Sequence, residues 1–258
     1  MKYLKLFEST TEIEIAKICE QYGIKNWSIN KDGLVDVDGN VSLVHARKIK
    51  LTKLPLQFGR VTGDFFCHEN DLTTLEGAPT EVGGGFFCHV NYLTTLEGAP
   101  TEVGGAFYSY RNKLTTLKGS PNKVSGDFSC HINNLTTLEG GPTEVGGDFY
   151  CFGNKLTTLE GGPTEVSGHF NCLGNKLTTL KWAPEYVGGA SFLPNLNLPI
   201  EFLGFLELNN NRDDLQTYIF KWQKDYAVWR RDGSFNQANF IQMMEAAQDE
   251  LKNIKFPK

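Results

Sequence analysis

No CxxC pair occurs anywhere in the 258 residues, no apolar run approaches the ~20 residues of a membrane-spanning helix, and Lys and Arg are nowhere gathered into a stripe. The first absence leaves the six cysteines without the close pairing of a metal or redox motif. The second, together with the short apolar run of MKYLKLFEST at the start, sets the expectation of a cytoplasmic protein with no signal-peptide core and no membrane partner. The third goes with 25 basic against 30 acidic residues, a net charge of −5, and excludes a basic nucleic-acid surface. Residues 51–198 hold 9 basic and 14 acidic residues, so that stretch carries the whole excess. Asp36 and Asp38 lack the third acidic ligand and distal Glu of an EF-hand, which leaves a turn. The paired glycines are followed by no helix and no Lys-Ser/Thr, so they form no phosphate loop. No Ser-His-Asp or carboxylate pair has a helix or pocket to support it, so neither an enzyme nor a cofactor is expected.

What is present is a unit of 21 residues, cleanest in LTTLEGAPTEVGGGFFCHVNY from Leu72, which begins again at Leu93, Leu114, Leu135, Leu156 and Leu177, with an imperfect copy at Leu51. Spacing held over about seven copies is the mark of a solenoid, one coil per repeat. Second leucines recur from Leu54 to Leu180 and valines from Val61 to Val187. Phenylalanines run from Phe65 to Phe170, with Cys67, Cys88, Cys130, Cys151 and Cys172 two residues after five of them and Ser109 in the remaining coil. Phe-x-Cys alternation predicts a short strand with Phe and Cys inward, and stacking the coils predicts a parallel sheet with strands about 4.8 Å apart. Five cysteines at one inward position read as packed, reduced thiols. Prolines from Pro79 to Pro184 fall on the side opposite the strand, and glycine pairs such as Gly83-Gly84 just before it, where positive φ would let the chain turn back into the sheet. Adjacent threonines such as Thr73-Thr74 point to opposite sides of the chain. That excludes the flat Thr-x-Thr face of an ice binder and leaves hydroxyls to satisfy turn backbone.

Function is sought where the repeats differ. The outward strand positions are Asp64, Phe66, His68; Gly85, Phe87, His89; Ala106, Tyr108, Tyr110; Asp127, Ser129, His131; Asp148, Tyr150, Phe152; and His169, Asn171, Leu173. With His45 at an equivalent place in the first coil, all five histidines share this face. Long charged side chains are scarce on it and aromatics with polar tips abundant, the composition of a recognition surface. Phe66, His68, Phe87, His89, Tyr108, Tyr110, His131, Tyr150 and Phe152 are therefore the candidate partner-binding residues, with a cross-strand aromatic ladder as the competing account. His68 and His89 on adjacent coils could supply two metal ligands, but a third is missing and no metal is expected.

Phe-x-Cys-x-x-Asn-x-Leu-x-x-Leu resembles the leucine-rich repeat consensus, with Asn70, Asn91, Asn112, Asn133, Asn154 and Asn175 at its asparagine position. The resemblance implies a right-handed α/β solenoid whose asparagines satisfy turn backbone between coils. The Asn-x-Leu-Thr-x-Leu run with its following proline is similar to short-repeat leucine-rich proteins of bacteria, and the wording over residues 34–198 to repeat proteins of tailed phages and their hosts. It implies a non-enzymatic protein-binding scaffold, phage-encoded or bacterial, whose concave strand face holds a host protein in the host cytoplasm. A glycan-binding or virion-attachment protein is the alternative. Some bacterial effectors of similar repeats carry a ubiquitin-ligase domain after the solenoid. Residues 199–258 contain no cysteine and are too short for one.

The expected organisation is therefore an N-terminal helix and β-hairpin cap over 1–50, a solenoid over 51–198, and a cap with a helical hairpin over 199–258. In the first cap, Ile13, Ala16, Cys19 and Tyr22 form an apolar stripe, Gly23 stops the helix, and strands break at 31–33 and 38–40. Val44 and Ala46 are expected where later coils have Phe and Cys. In the last cap, one helix is expected from Asp213 to Arg231 and a second, capped by Ser234, through Phe240 and Met244.

Overall fold

A computed structural model describes residues 12–44, 50–177, 182–189, 191–192, 236, 238–243 and 245. The repeats wind into a parallel β-solenoid of about seven turns with two sheets, where the sequence predicted one. Each coil contributes a two-residue strand ending in its valine, as in Glu81–Val82, Glu102–Val103 and Lys123–Val124, to the first sheet. Four residues after that valine, a strand opening on its phenylalanine, as in Phe86–Phe87, Phe107–Tyr108 and Phe128–Ser129, joins the second. Pairing is coil to coil in strict register, Val82 beside Val103 and Phe86 beside Phe107. In the first sheet's strand the β-branched valine of Thr-Glu-Val turns inward while the acid turns out.

Between the sheets runs the core. Phe65, Phe86, Phe107, Phe128, Phe149 and Phe170 are fully buried and stack face to face at 5.4–5.7 Å. Each buried ring is worth roughly 1.5–3 kcal/mol, and none is buried without a neighbouring coil. The cysteines of the repeat are free and inaccessible, and burial pushes their thiols up, so they pack as small apolar groups. Ser109, equally buried, donates its hydroxyl to the Ser129 carbonyl at 3.3 Å, which admits a polar atom into the cysteine row.

The asparagines bind coil to coil. Asn91 Nδ2 donates to the Cys67 and Cys88 carbonyls at 3.0 and 3.1 Å, while its Oδ1 accepts the Leu72 amide at 2.9 Å. Asn112, Asn133, Asn154 and Asn175 repeat this arrangement. The second threonine of each described pair closes a local turn, Thr74 Oγ accepting the Glu76 amide at 3.1 Å.

The glycine pairs do not take positive φ. That role belongs to Gly77, Gly98, Gly119, Gly140 and Gly161, at φ 79–93°. The pairs answer crowding instead: a Cβ on Gly147 would come within 2.2 Å of Asp127 Oδ1, and one on Gly84 within 2.3 Å of Asp64 Oδ1.

At the N-terminal end the helix Glu12–Tyr22 buries Ile15 and Cys19 with Ile18 and Tyr22 half-buried, so its apolar stripe is displaced from the expected one and Ile13 is 68% exposed. Gly23, at φ 64°, ends it as expected. Trp27–Ile29 and Val35–Val37 form the expected antiparallel hairpin; Asp36 lies within its second strand instead of a turn and accepts the Arg60 amide, while Asp38, just past the strand, accepts the Thr62 hydroxyl. The first coil pairs Val41 with Phe65, which puts Val41 and Leu43, not Val44 and Ala46, in the Phe and Cys rows. Three residues more separate Leu43 from Leu51 than Cys67 from Leu72, and Ala46 and His45 lie outside the described residues. Of the expected C-terminal hairpin, residues 238–243 and 245 are helical with Phe240 and Met243 buried, and the Asn236 side chain accepts the Asn239 amide where Ser234 was the expected cap. The rest of that hairpin lies outside the described residues.

Asn133→Ala orphans the Leu114 amide and takes from the Ser109 and Cys130 carbonyls one of the two asparagine donors that each has, and is expected to cost about 1–3 kcal/mol in urea unfolding, with Asn133→Asp, which buries a carboxylate oxygen against those carbonyls, costing at least as much. Gly147→Ala is expected to cost about 1–3 kcal/mol by displacing the Asp127 carboxylate from the Asp148 amide, while Ser125→Ala on the exposed corner leaves the midpoint unchanged.

Candidate functional site

All nine predicted residues fall on the outer face of the second sheet, in two columns. Phe66, Phe87, Tyr108, Ser129, Tyr150 and Asn171 form the first, directly on the strands. His68, His89, Tyr110, His131 and Phe152 form the second. The register Val41 to Phe65 sets Val44, not His45, opposite His68, and His169 stands with Asp148 on the far side of the first column, so three of the five histidines share the second column.

The rings are not spread open. His68 lies on His89 at 4.4 Å and 9°, His89 on Tyr110 at 4.3 Å and 18°, Tyr110 on His131 at 4.4 Å and 11°, and His131 on Phe152 at 4.3 Å and 13°. Phe66 and Phe87 stack likewise at 4.8 Å, and Tyr108 meets Phe87 edge-on at 5.2 Å. The cause is the coil rise: strands about 4.8 Å apart bring equivalent rings near stacking distance without distortion. Eight of the nine residues are consequently half-buried, and His89 retains 9% of its exposure. Within the second column the faces are covered by neighbours and the edges face outward. A sugar ring therefore has no face of His89, Tyr110 or His131 to stack on. Parallel rings also send their nitrogen lone pairs along parallel lines, which do not converge on a metal, and no group of three or more potential ligands exists among the described residues.

Hydroxyls and carboxylates tie the first column down. Tyr108 donates to Asp127 Oδ2 at 3.1 Å and Tyr150 to Asp148 Oδ2 at 2.5 Å. Both phenols are pushed up to about 12, Tyr108 by burial before Asp127, Tyr150 by its bond to Asp148, and so remain donors. The same carboxylates accept, through Oδ1, the amides of Asp148 and His169 on the following coils at 2.8 and 2.7 Å. Ser129 Oγ and His131 Nδ1 lie 2.7 Å apart, but Ser129 is only 2% exposed and offers no nucleophile to a substrate. Burial holds His89 at about 4, with His68 adding to the depression, and holds His131 at about 4, with Arg111 adding to it. Both are neutral near pH 7.

Sequence reasoning missed the column beside the histidines. Glu69, Val90, Arg111 and Ile132 all have left-handed backbone, φ 53–56°, because the chain must turn there to aim the next asparagine into the coil. Gly153 and Gly174 at the same position in the following coils, φ 65° and 64°, were the available signal. Val90 and Ile132 are β-branched, the residues least suited to this conformation, and Ile132 is 43% exposed. Tyr92 nearby is 46% exposed with Lys113 Nζ 4.4 Å above its ring.

The outer face of the first sheet differs. Its column runs Arg60, Glu81, Glu102, Lys123, Glu144 and Glu165 before ending on Tyr186, long-chained and charged up to that last coil, with Arg60 bound to Glu81 at 2.9 Å and Lys123 to Glu144. Among the described residues no helix is long and apolar enough to cross a membrane. No family model, curated protein or solved structure matches the chain.

Val90→Gly and Ile132→Gly are each expected to raise unfolding stability by about 1 kcal/mol, read as a higher urea midpoint, since relief of left-handed strain outweighs glycine's added freedom in the unfolded chain.

Proposed function

We propose that this chain is a non-enzymatic scaffold that holds another protein against the outer face of its second sheet. The supporting observation is the difference between two sheets built from the same coils. On the first, the outward column is charged and flexible, as a solvated face should be. On the second it is aromatic and imidazole, with exposed Ile132 kept in a strained backbone beside it. The ladder itself stabilises the sheet; the row of ring edges, phenol hydroxyls and apolar side chains it leaves outward is the contact surface. The similarity of the repeats to short leucine-rich repeats of bacteria and tailed phages supports a bacterial host protein as the partner, met in the cytoplasm.

The test uses side chains that the chain already tolerates. Tyr108→Ser and Tyr150→Asn copy Ser129 and Asn171 from neighbouring coils, so each is expected to cost about 1 kcal/mol of stability or less. Immobilised wild type, this double variant and a first-sheet control, Glu81→Ala/Glu102→Ala, are presented to bacterial lysate. A protein held by wild type and control but at least tenfold depleted on the double variant is the expected result, ~1.4 kcal/mol being the lower bound for a residue that matters to binding. Identical captures on all three would remove the second sheet as the binding face.

A further inference from the structure

His68, His89 and His131 occupy one column with Tyr110 and Phe152, and every successive pair in it is face to face at 4.3–4.4 Å. A stack this close suits neutral rings. A protonated imidazole needs water or a counter-charge at its nitrogens, and His89 is nine-tenths buried with no hydrogen-bond partner for Nδ1 among the described residues. Its surroundings offer little compensation. His89 is faced by His68 from the preceding coil, by Tyr110 and the edge of Tyr108 from the following one, with His131 beyond, and Glu69 is the one carboxylate acting in favour of its charge. His131 is faced by Tyr110 and Phe152, by Ser129 on its own coil, and by the Arg111 guanidinium, which opposes its charge. Asp127 and Asp148 are committed to the Tyr108 and Tyr150 hydroxyls and to backbone amides.

We propose that this column is an acid-operated latch: neutral imidazoles keep the rings of successive coils stacked, and protonation drives the histidines out of the column and loosens the outer face of the second sheet. The latch belongs to the fold itself and holds whether or not that face binds a protein. Its direction follows from linkage. The unfolded chain takes up protons on His89 and His131 near 6.5, and the folded chain resists until about 4. The column therefore contributes fully above about pH 6.5, and its contribution is lost as the pH falls toward 4.

Ring-preserving substitution isolates the charge. In His68→Phe/His89→Phe/His131→Phe every imidazole becomes the ring that Phe152 already contributes. Thermal midpoints are compared between pH 6.5 and 4, alongside amide exchange at Cys88 and Val90, which bond to the Tyr108 and Tyr110 carbonyls, relative to Gly104, which bonds to Val82. The expected result is a midpoint falling at least twice as far in wild type as in the variant, with exchange at Cys88 and Val90 rising relative to Gly104 in wild type only. Coincident midpoint curves overturn the latch. So does protection lost equally in both sheets, which would make the histidines a general acid sensitivity. If the triple variant fails to fold, His89→Phe alone, which breaks no hydrogen bond of Nδ1, is put through the same comparison with the same criteria.

Discussion

Everything in this solenoid depends on one exchange of hydrogen bonds, in which the asparagine of each coil takes the leucine amide of the coil before it and donates to a carbonyl from each of the two. A tight turn must leave backbone groups pointing inward, and an inward group without a partner costs about 1–3 kcal/mol. The asparagine side chain carries one acceptor and two donors, enough to answer both kinds of orphan from a single position. Because the groups it answers belong partly to a neighbour, no coil is complete alone. The apolar rows obey the same rule: Phe107 has a ring on each side only because Phe86 and Phe128 occupy the same row.

That dependence explains which parts of the fold could be read from the sequence. Leu, Phe, Cys, Val and Asn were legible because each inward row admits a single size and chemistry, so one unaltered spacing betrays them. The strand at the valine was missed because it spans two residues and lies only four before the next, too short for alternation to register. The glycine pairs were assigned the wrong cause for a related reason. A sequence records that Cβ is unwelcome, but positive φ, as at Gly77 and its equivalents, and a carboxylate oxygen from the preceding coil, as at Gly84 and Gly147, forbid it equally. In the first coil the extra residues fall between Leu43 and Leu51, so counting back in steps of 21 put Val44 and Ala46 where Val41 and Leu43 stand.

The candidate site was legible in membership and not in arrangement. Repeat position places Phe66, His68 and the others on one face, and the structure keeps them there. Position does not say whether a ring leans on its neighbour or stands away from it. The coil rise decides that, since rings held about 4.8 Å apart lose exposed apolar surface by tilting into contact. The result is a face more structural than its composition implies: ring faces are spent on neighbouring coils and the Tyr108 and Tyr150 hydroxyls on carboxylates, while ring edges remain as its outward chemistry.

Stacking also changes what a histidine means here. In water an imidazole is the side chain readiest to change charge near neutral pH. Laid between two rings, His89 and His131 are held neutral to about 4. A phenylalanine in every row would give a ladder of the same geometry, as Phe152 shows at the column's end, and would leave no buried Nδ1 without a partner. A column that keeps three imidazoles where phenylalanine would pack as well therefore retains polar atoms at a cost to stability, and it confines that cost to one face of one sheet. The strained Val90 and Ile132 lie along the same face. Two independent departures from the most stable choice thus coincide, at the surface where the two sheets of each coil differ most in chemistry.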